Sequence, residues 1–78
     1  MYGRMIDMNH VYYTLFRPAM IGAIPRHGLT EIENFGERKF IHSIGREAWA
    51  KVTYNRELTN KEISDYELMP EGEMPNEL

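Results

Sequence analysis

Apolar and polar positions divide the chain into short segments. From Val11 to Phe16 every residue is β-branched, aromatic or leucine, the side chains that fit a pleated surface. His10 to Phe16 therefore reads as a strand. Its two faces, Val11/Tyr13/Leu15 and Tyr12/Thr14/Phe16, are both apolar or aromatic, so the strand should be covered on both sides and lie inside a sheet. Arg17-Pro18 ends it, because proline cannot donate to a ladder. Pro18 to Gly28 has prolines near both shoulders and a glycine in the middle, and reads as a long loop. Leu29 to Glu33 follows as a short edge strand. Asn34 to Glu37 supplies a turn, with Gly36 free to take positive φ. Arg38 to Ile44 is the second strand of that hairpin. Gly45-Arg46 breaks the chain again, and Ala48 to Tyr54 is the last strand, with Ala50, Val52 and Tyr54 alternating against Trp49, Lys51 and Thr53.

The sharpest local signal is Thr59-Asn60-Lys61-Glu62. It has the form of a capping box, in which Thr59 caps the amide of Glu62 and the Glu62 carboxylate reaches back. Leu58 and Ile63 stand at the two positions of a hydrophobic staple. A single helix from about Asn60 to Leu68 follows, ended by Pro70, with Ile63 and Tyr66 facing the sheet. The expected fold is α+β: a three- or four-stranded antiparallel sheet with one short C-terminal helix packed on it. Residues 1–9 are expected to be a loose N-terminus, 10–69 a single domain and 70–78 an acidic disordered tail.

At 78 residues the chain buries only about 60% of the surface its unfolded form exposes. Such domains need a staple, a very good core or a partner subunit. With no cysteine, disulfides are excluded and nothing points to an oxidising compartment. No signal peptide is recognisable in Met1 to Asp7, and Pro18 to Pro25 is too short to span a membrane. The expectation is a cytoplasmic protein with no membrane partner. Net charge is −3, unevenly placed: residues 1–56 hold eight Lys/Arg against five Asp/Glu, residues 57–78 one against seven. A body balance of +3 and an end balance of −6 make nucleic acid an improbable partner, since such binders carry a large basic excess.

Catalytic and cofactor signals are missing. His10, His27 and His42 are scattered, and without cysteine a structural zinc site has no ligand set. Glycine-rich phosphate motifs do not occur. His42 and Ser43 are strand neighbours and point to opposite faces. Glu31 and Glu33 share a face but read as a solvated edge. The expectation is a protein that binds, with no catalytic residue, metal or cofactor.

Three surfaces remain. The loop after the first strand is long for so small a domain, and such loops tend to be functional. Arg17, Arg26 and His27 with free backbone amides could hold an anionic, nucleotide-like small molecule, with Tyr13 and Tyr54 as stacking partners. Against this, Met20, Ile21 and Ile24 could fold back as a lid on the core, the commoner fate of apolar loop residues in tiny domains; left exposed, they would mark a protein interface. The second sheet face also needs a cover, which the loop or a second copy of the chain, a homodimer, could provide. Finally, acidic residues including Glu62 and Asp65 could enter a basic cleft of a partner, although charge runs are ordinarily solvated faces.

The pattern Trp49…Val52-x-Tyr54-x-Arg56-Glu57-Leu58-Thr59…Glu62-Ile63…Tyr66-Glu67-Leu68, with Arg17-Pro18-Ala19-Met20 before it, resembles short uncharacterised proteins of phages and mobile elements of Gram-positive bacteria. The resemblance implies an accessory role, most often interference with a host defence system. Such an inhibitor would sequester an anionic signal or block a defence protein. The alternative is a DNA- or protein-binding regulator of its own mobile element.

Overall fold

A computed structural model of the chain describes residues 9–71. The elements are β1 (His10–Thr14), β2 (Leu29–Ile41), β3 (Arg46–Tyr54), α1 (Asn60–Asp65) and β4 (Leu68–Pro70). The strands form one antiparallel sheet in the order β2-β3-β1-β4, and α1 sits beside β4. This is the expected α+β class. β1 lies inside the sheet and β2 at its edge, as their side-chain patterns require. Among the described residues no helix is long and apolar enough to cross a membrane.

Several boundaries differ from expectation, and β3 begins at Arg46 where Ala48 was expected. β1 stops at Thr14, the last residue paired with both neighbours, and beyond it the Leu15 amide reaches only the Glu67 carbonyl, in register with β4 (3.4 Å). Asn34 to Glu37 does not turn the chain. Gly36 takes φ 82°, and the register on β3 slips between Asn34 and Lys39. The glycine thus serves a bulge inside one long strand, and the hairpin turn falls at His42–Gly45, closed by Gly45 N donating to Ile41 O at 2.9 Å. The helix ends at Asp65, since Glu67 adopts φ 56° and cannot continue it. Leu68–Pro70 then pairs with β1, setting Tyr12 against Pro70 and Thr14 against Leu68. Pro70, expected to open a tail, belongs to the sheet, and the Glu71 amide still donates to Val11 O at 2.9 Å. The loose N-terminus before Asn9 and the tail after Glu71 lie outside the described residues.

The core occupies one face of the sheet. Tyr12, Ala50, Val52, Tyr54 and Leu68 from the strands meet Ala19 and Ile24 from the loop and Leu58 from the segment before α1. Leu29, Ile32, Ile63 and Tyr66 close its margin. Tyr12 and Tyr54 meet edge to face, 5.9 Å between centroids, a favoured aromatic geometry. Their hydroxyls are both used: Tyr12 accepts from Leu58 N at 2.9 Å, and Tyr54 donates to the Pro25 carbonyl. On the opposite face, for which the sequence suggested a second copy of the chain, Tyr13 and Thr53 are already buried within one chain. Removing the Tyr54 hydroxyl (Tyr54→Phe) leaves the Pro25 carbonyl unpaired in the core. Urea unfolding should show a loss of about 1–3 kcal/mol, with the sheet content unchanged by circular dichroism.

Candidate functional site

The loop between β1 and β2 is pinned at several points. At its first shoulder, the Asn34 side chain holds both backbone polar groups of one residue: Ala19 N donates to Asn34 Oδ1 (2.9 Å) and Asn34 Nδ2 donates to Ala19 O (3.0 Å). At its second shoulder, Pro25 O receives the Tyr54 phenol, His27 O receives Arg56 Nε (2.8 Å) and Gly28 O receives Asn55 N (2.8 Å). Ala19 and Ile24 are driven into the core between these ties. What remains outside is Met20–Ala23, a four-residue turn closed by Ala23 N donating to Met20 O at 2.8 Å. Gly22 stands third in it with φ 97°, the place where a type II turn requires positive φ. Met20 is 61% exposed and Ile21 74%. A rigid backbone thus presents two apolar side chains to solvent.

Arg56 holds the second shoulder to the helix. Besides its bond to His27 O, its guanidinium grips the Glu62 carboxylate with both terminal nitrogens, at 3.0 and 2.8 Å, and lies over the Tyr54 ring, 5.9 Å from the centroid. Glu62 is in turn the third residue of the complete capping box, accepting from Thr59 N at 2.8 Å while its own amide donates to Thr59 Oγ1 at 3.1 Å. The Arg56 hydrogen bonds first, and then the Thr59 amide, hold the Glu62 carboxyl down at about 2. Burial pushes the Tyr54 phenol up to about 12.

The residues expected to bind an anionic ligand are not brought together. Tyr54 is fully buried with its hydroxyl engaged, so it offers no ring face for stacking. Tyr13 follows Tyr12 in the strand and points to the opposite face, where it is buried and donates to Glu71 Oε2 at 3.3 Å. Arg17 is exposed but pairs with Glu67 at 2.9 Å. Arg26 and His27 are exposed. Among the expected partner contacts, Ile24 takes the core-lid place that the sequence also offered, at 3% exposure. Glu62 is occupied by Arg56, and Asp65 by Lys61 at 2.8 Å.

Sequence reasoning missed the Asn34 clasp, because Asn-Phe-Gly reads as turn chemistry. It also missed the role of Arg56, whose position six residues before the capping-box glutamate was the available signal. Phe16 and Phe40, exposed at 57% and 51%, were also not foreseen as surface residues. Among the described residues no group of His, Asp and Glu is arranged to hold a metal ion.

Fold and loop together define a small four-stranded α+β domain that displays a clamped, apolar-tipped turn. The chain belongs to the family described as Defence against restriction A C-terminal, whose sequence profile matches residues 7–73. That membership accords with the phage and mobile-element resemblance, and the function its description carries is defence against restriction. No curated protein and no solved structure gives a significant match.

The depressed Glu62 carboxyl has a consequence in acid. The folded chain keeps this group ionised down to about 2, whereas its ordinary value is 4.5. Between those values the unfolded state binds the extra proton, so the contribution of Glu62 is complete above about 4.5 and lost as pH falls toward 2. Glu62→Gln should lower stability at neutral pH and flatten the dependence in that window, measured by thermal unfolding at a series of pH values. An unchanged slope would show that Arg56 is held some other way.

Proposed function

We propose that the chain is a non-catalytic anti-restriction protein that binds and blocks a restriction protein of the host cell, using the turn Met20–Ala23 as its principal contact. The observation that carries this reading is the pairing of exposure with rigidity. Met20 and Ile21 are the most exposed large apolar side chains among the described residues, on a backbone fixed at Ala19, Pro25 and His27. Exposed apolar side chains that the fold does not bury are suited to a protein interface. A loop already ordered before contact loses little freedom on binding, which favours affinity. The family description supplies the biological setting.

Capture of an anionic signal is the weaker route, because Tyr13 and Tyr54 are unavailable as stacking partners and Arg17 is paired. The acidic route through Glu62 and Asp65 is weakened likewise by the ion pairs at both residues. An apolar contact should tolerate salt, whereas a charge-driven one would not.

The test is protection of an unmodified phage plated on hosts that carry defined restriction systems, with the chain expressed beforehand. Wild type should raise plating on at least one such host, and Ile21→Asp should abolish the gain while leaving the melting temperature unchanged. In direct binding to that restriction protein, Met20→Ala with Ile21→Ala should cost at least about 2 kcal/mol, roughly thirtyfold in Kd. Full protection by Ile21→Asp would remove the turn from the interface. Failure of wild type on every host would remove the anti-restriction reading.

A further inference from the structure

The β1–β2 loop holds two turns in succession, built alike. In each a glycine stands third with positive φ, Gly22 at 97° and Gly28 at 83°. In each the fourth amide donates to the first carbonyl: Ala23 N to Met20 O at 2.8 Å, Leu29 N to Arg26 O at 3.1 Å. Ile24 and Pro25, both buried, separate the two. The second turn packs closely on the end of β3, where a Cβ on Gly28 would stand 2.8 Å from Asn55 Oδ1 and 3.0 Å from Arg56 Cγ. The first turn shows Met20 and Ile21 to solvent, and the second shows Arg26 and His27.

Charge sets these turns apart from the rest of an acidic chain. From Leu15 to Thr30 there are two arginines, one histidine and no Asp, Glu or Lys. The carboxylates bonded to the loop and to its anchor are already paired, Glu67 with Arg17 at 2.9 Å and Glu62 with Arg56 at 2.8 Å. Arg26 makes no ion pair among the described residues. Ile21 and Arg26 stand five positions apart, so their Cα atoms lie within about 18 Å even were the chain between them extended. An ordinary interface covers about 800 Å² on each partner, a patch roughly 30 Å across. A partner seated on the apolar turn thus reaches the cationic one as well.

We propose that the chain grips its restriction protein outside the DNA-binding cleft, on a surface with an apolar hollow for Met20 and Ile21 and carboxylates for Arg26. This rests on the anti-restriction reading and adds which face of the partner is used. A cleft that binds DNA carries lysines and arginines for the phosphates. Seating the loop there would set Arg26 against them, and like charges brought together across an interface cost affinity. A carboxylate is instead the partner that a guanidinium bonds most strongly. Glu62 and Asp65, which would suit a basic cleft, are occupied by Arg56 and Lys61. The restriction protein therefore keeps its DNA while the chain is bound, and the three form one complex.

The test uses purified restriction enzymes from the systems in the plating panel, each loaded on a bead-bound duplex carrying its unmodified recognition sequence. Magnesium is withheld so that the duplex is held uncut. The full chain is then added, and beads and supernatant are compared on a gel. For at least one enzyme the chain should be retained on the beads and the enzyme should stay with it. Arg26→Glu should cut the retained chain tenfold or more at unchanged melting temperature. Release of the enzyme from the duplex would overturn this inference and leave the anti-restriction reading standing. Retention of the chain by duplex without enzyme, or undiminished retention of Arg26→Glu, would overturn it too. A chain that neither stays on the beads nor releases any enzyme would remove the anti-restriction reading, and this inference with it.

Discussion

The Arg56 guanidinium is the point through which the rest of the domain is joined. It touches a strand end, a loop and a helix at once: lying 5.9 Å over the Tyr54 ring, donating to the His27 carbonyl and gripping Glu62. A planar fork of five donors can make such a junction, and a lysine in its place could not. The helix is six residues long, too short to be stable by its own hydrogen bonds. Its first turn is held by the capping box, and the capping box is held by Arg56. The same side chain also fixes the second shoulder of the β1–β2 loop, so order in the helix and order in the loop are coupled. In a domain this small, one well-placed cation does work that a larger core would otherwise do.

That coupling bears on function. A turn that projects apolar side chains is useful to a binding protein when its backbone does not have to be ordered on contact. Here the shoulders are buried as Ala19 and Ile24 and tied by the Asn34 side chain, the Tyr54 phenol and Arg56. The two readings of the loop from sequence, core lid and exposed interface, are therefore not alternatives. Neighbouring residues divide the roles, with Ile24 in the core and Ile21 in solvent.

Much of the fold was legible in the residues. Val11 to Phe16 announced an interior strand through two apolar faces, and Thr59 to Glu62 announced the start of the helix through its spacing. What escaped depended on contacts between distant parts of the chain. Gly36 signals positive φ equally for a turn and for a bulge, and the long pairing of β2 with β3 decided in favour of the bulge. Leu68 to Pro70 looked like a helix end because its partner strand is more than fifty residues earlier. The candidate site was legible as a loop but not as a set of residues. Alternation along β1 sends Tyr13 away from the loop, and the core claims Tyr54, neither of which composition could reveal. Asn34 acts on the backbone of Ala19, which carries no trace in sequence, whereas Arg56 left only its spacing from Glu62 as a signal.

The two outer strands have a further consequence. β4 offers a neighbouring molecule three residues, one of them Pro70 without an N–H, and β2 is interrupted by its glycine bulge and carries Lys39 just beyond it. Short length, proline, bulges and lysine are features that make a strand a poor template for adding another. Molecules of this chain are thereby discouraged from pairing edge to edge into a continuous sheet.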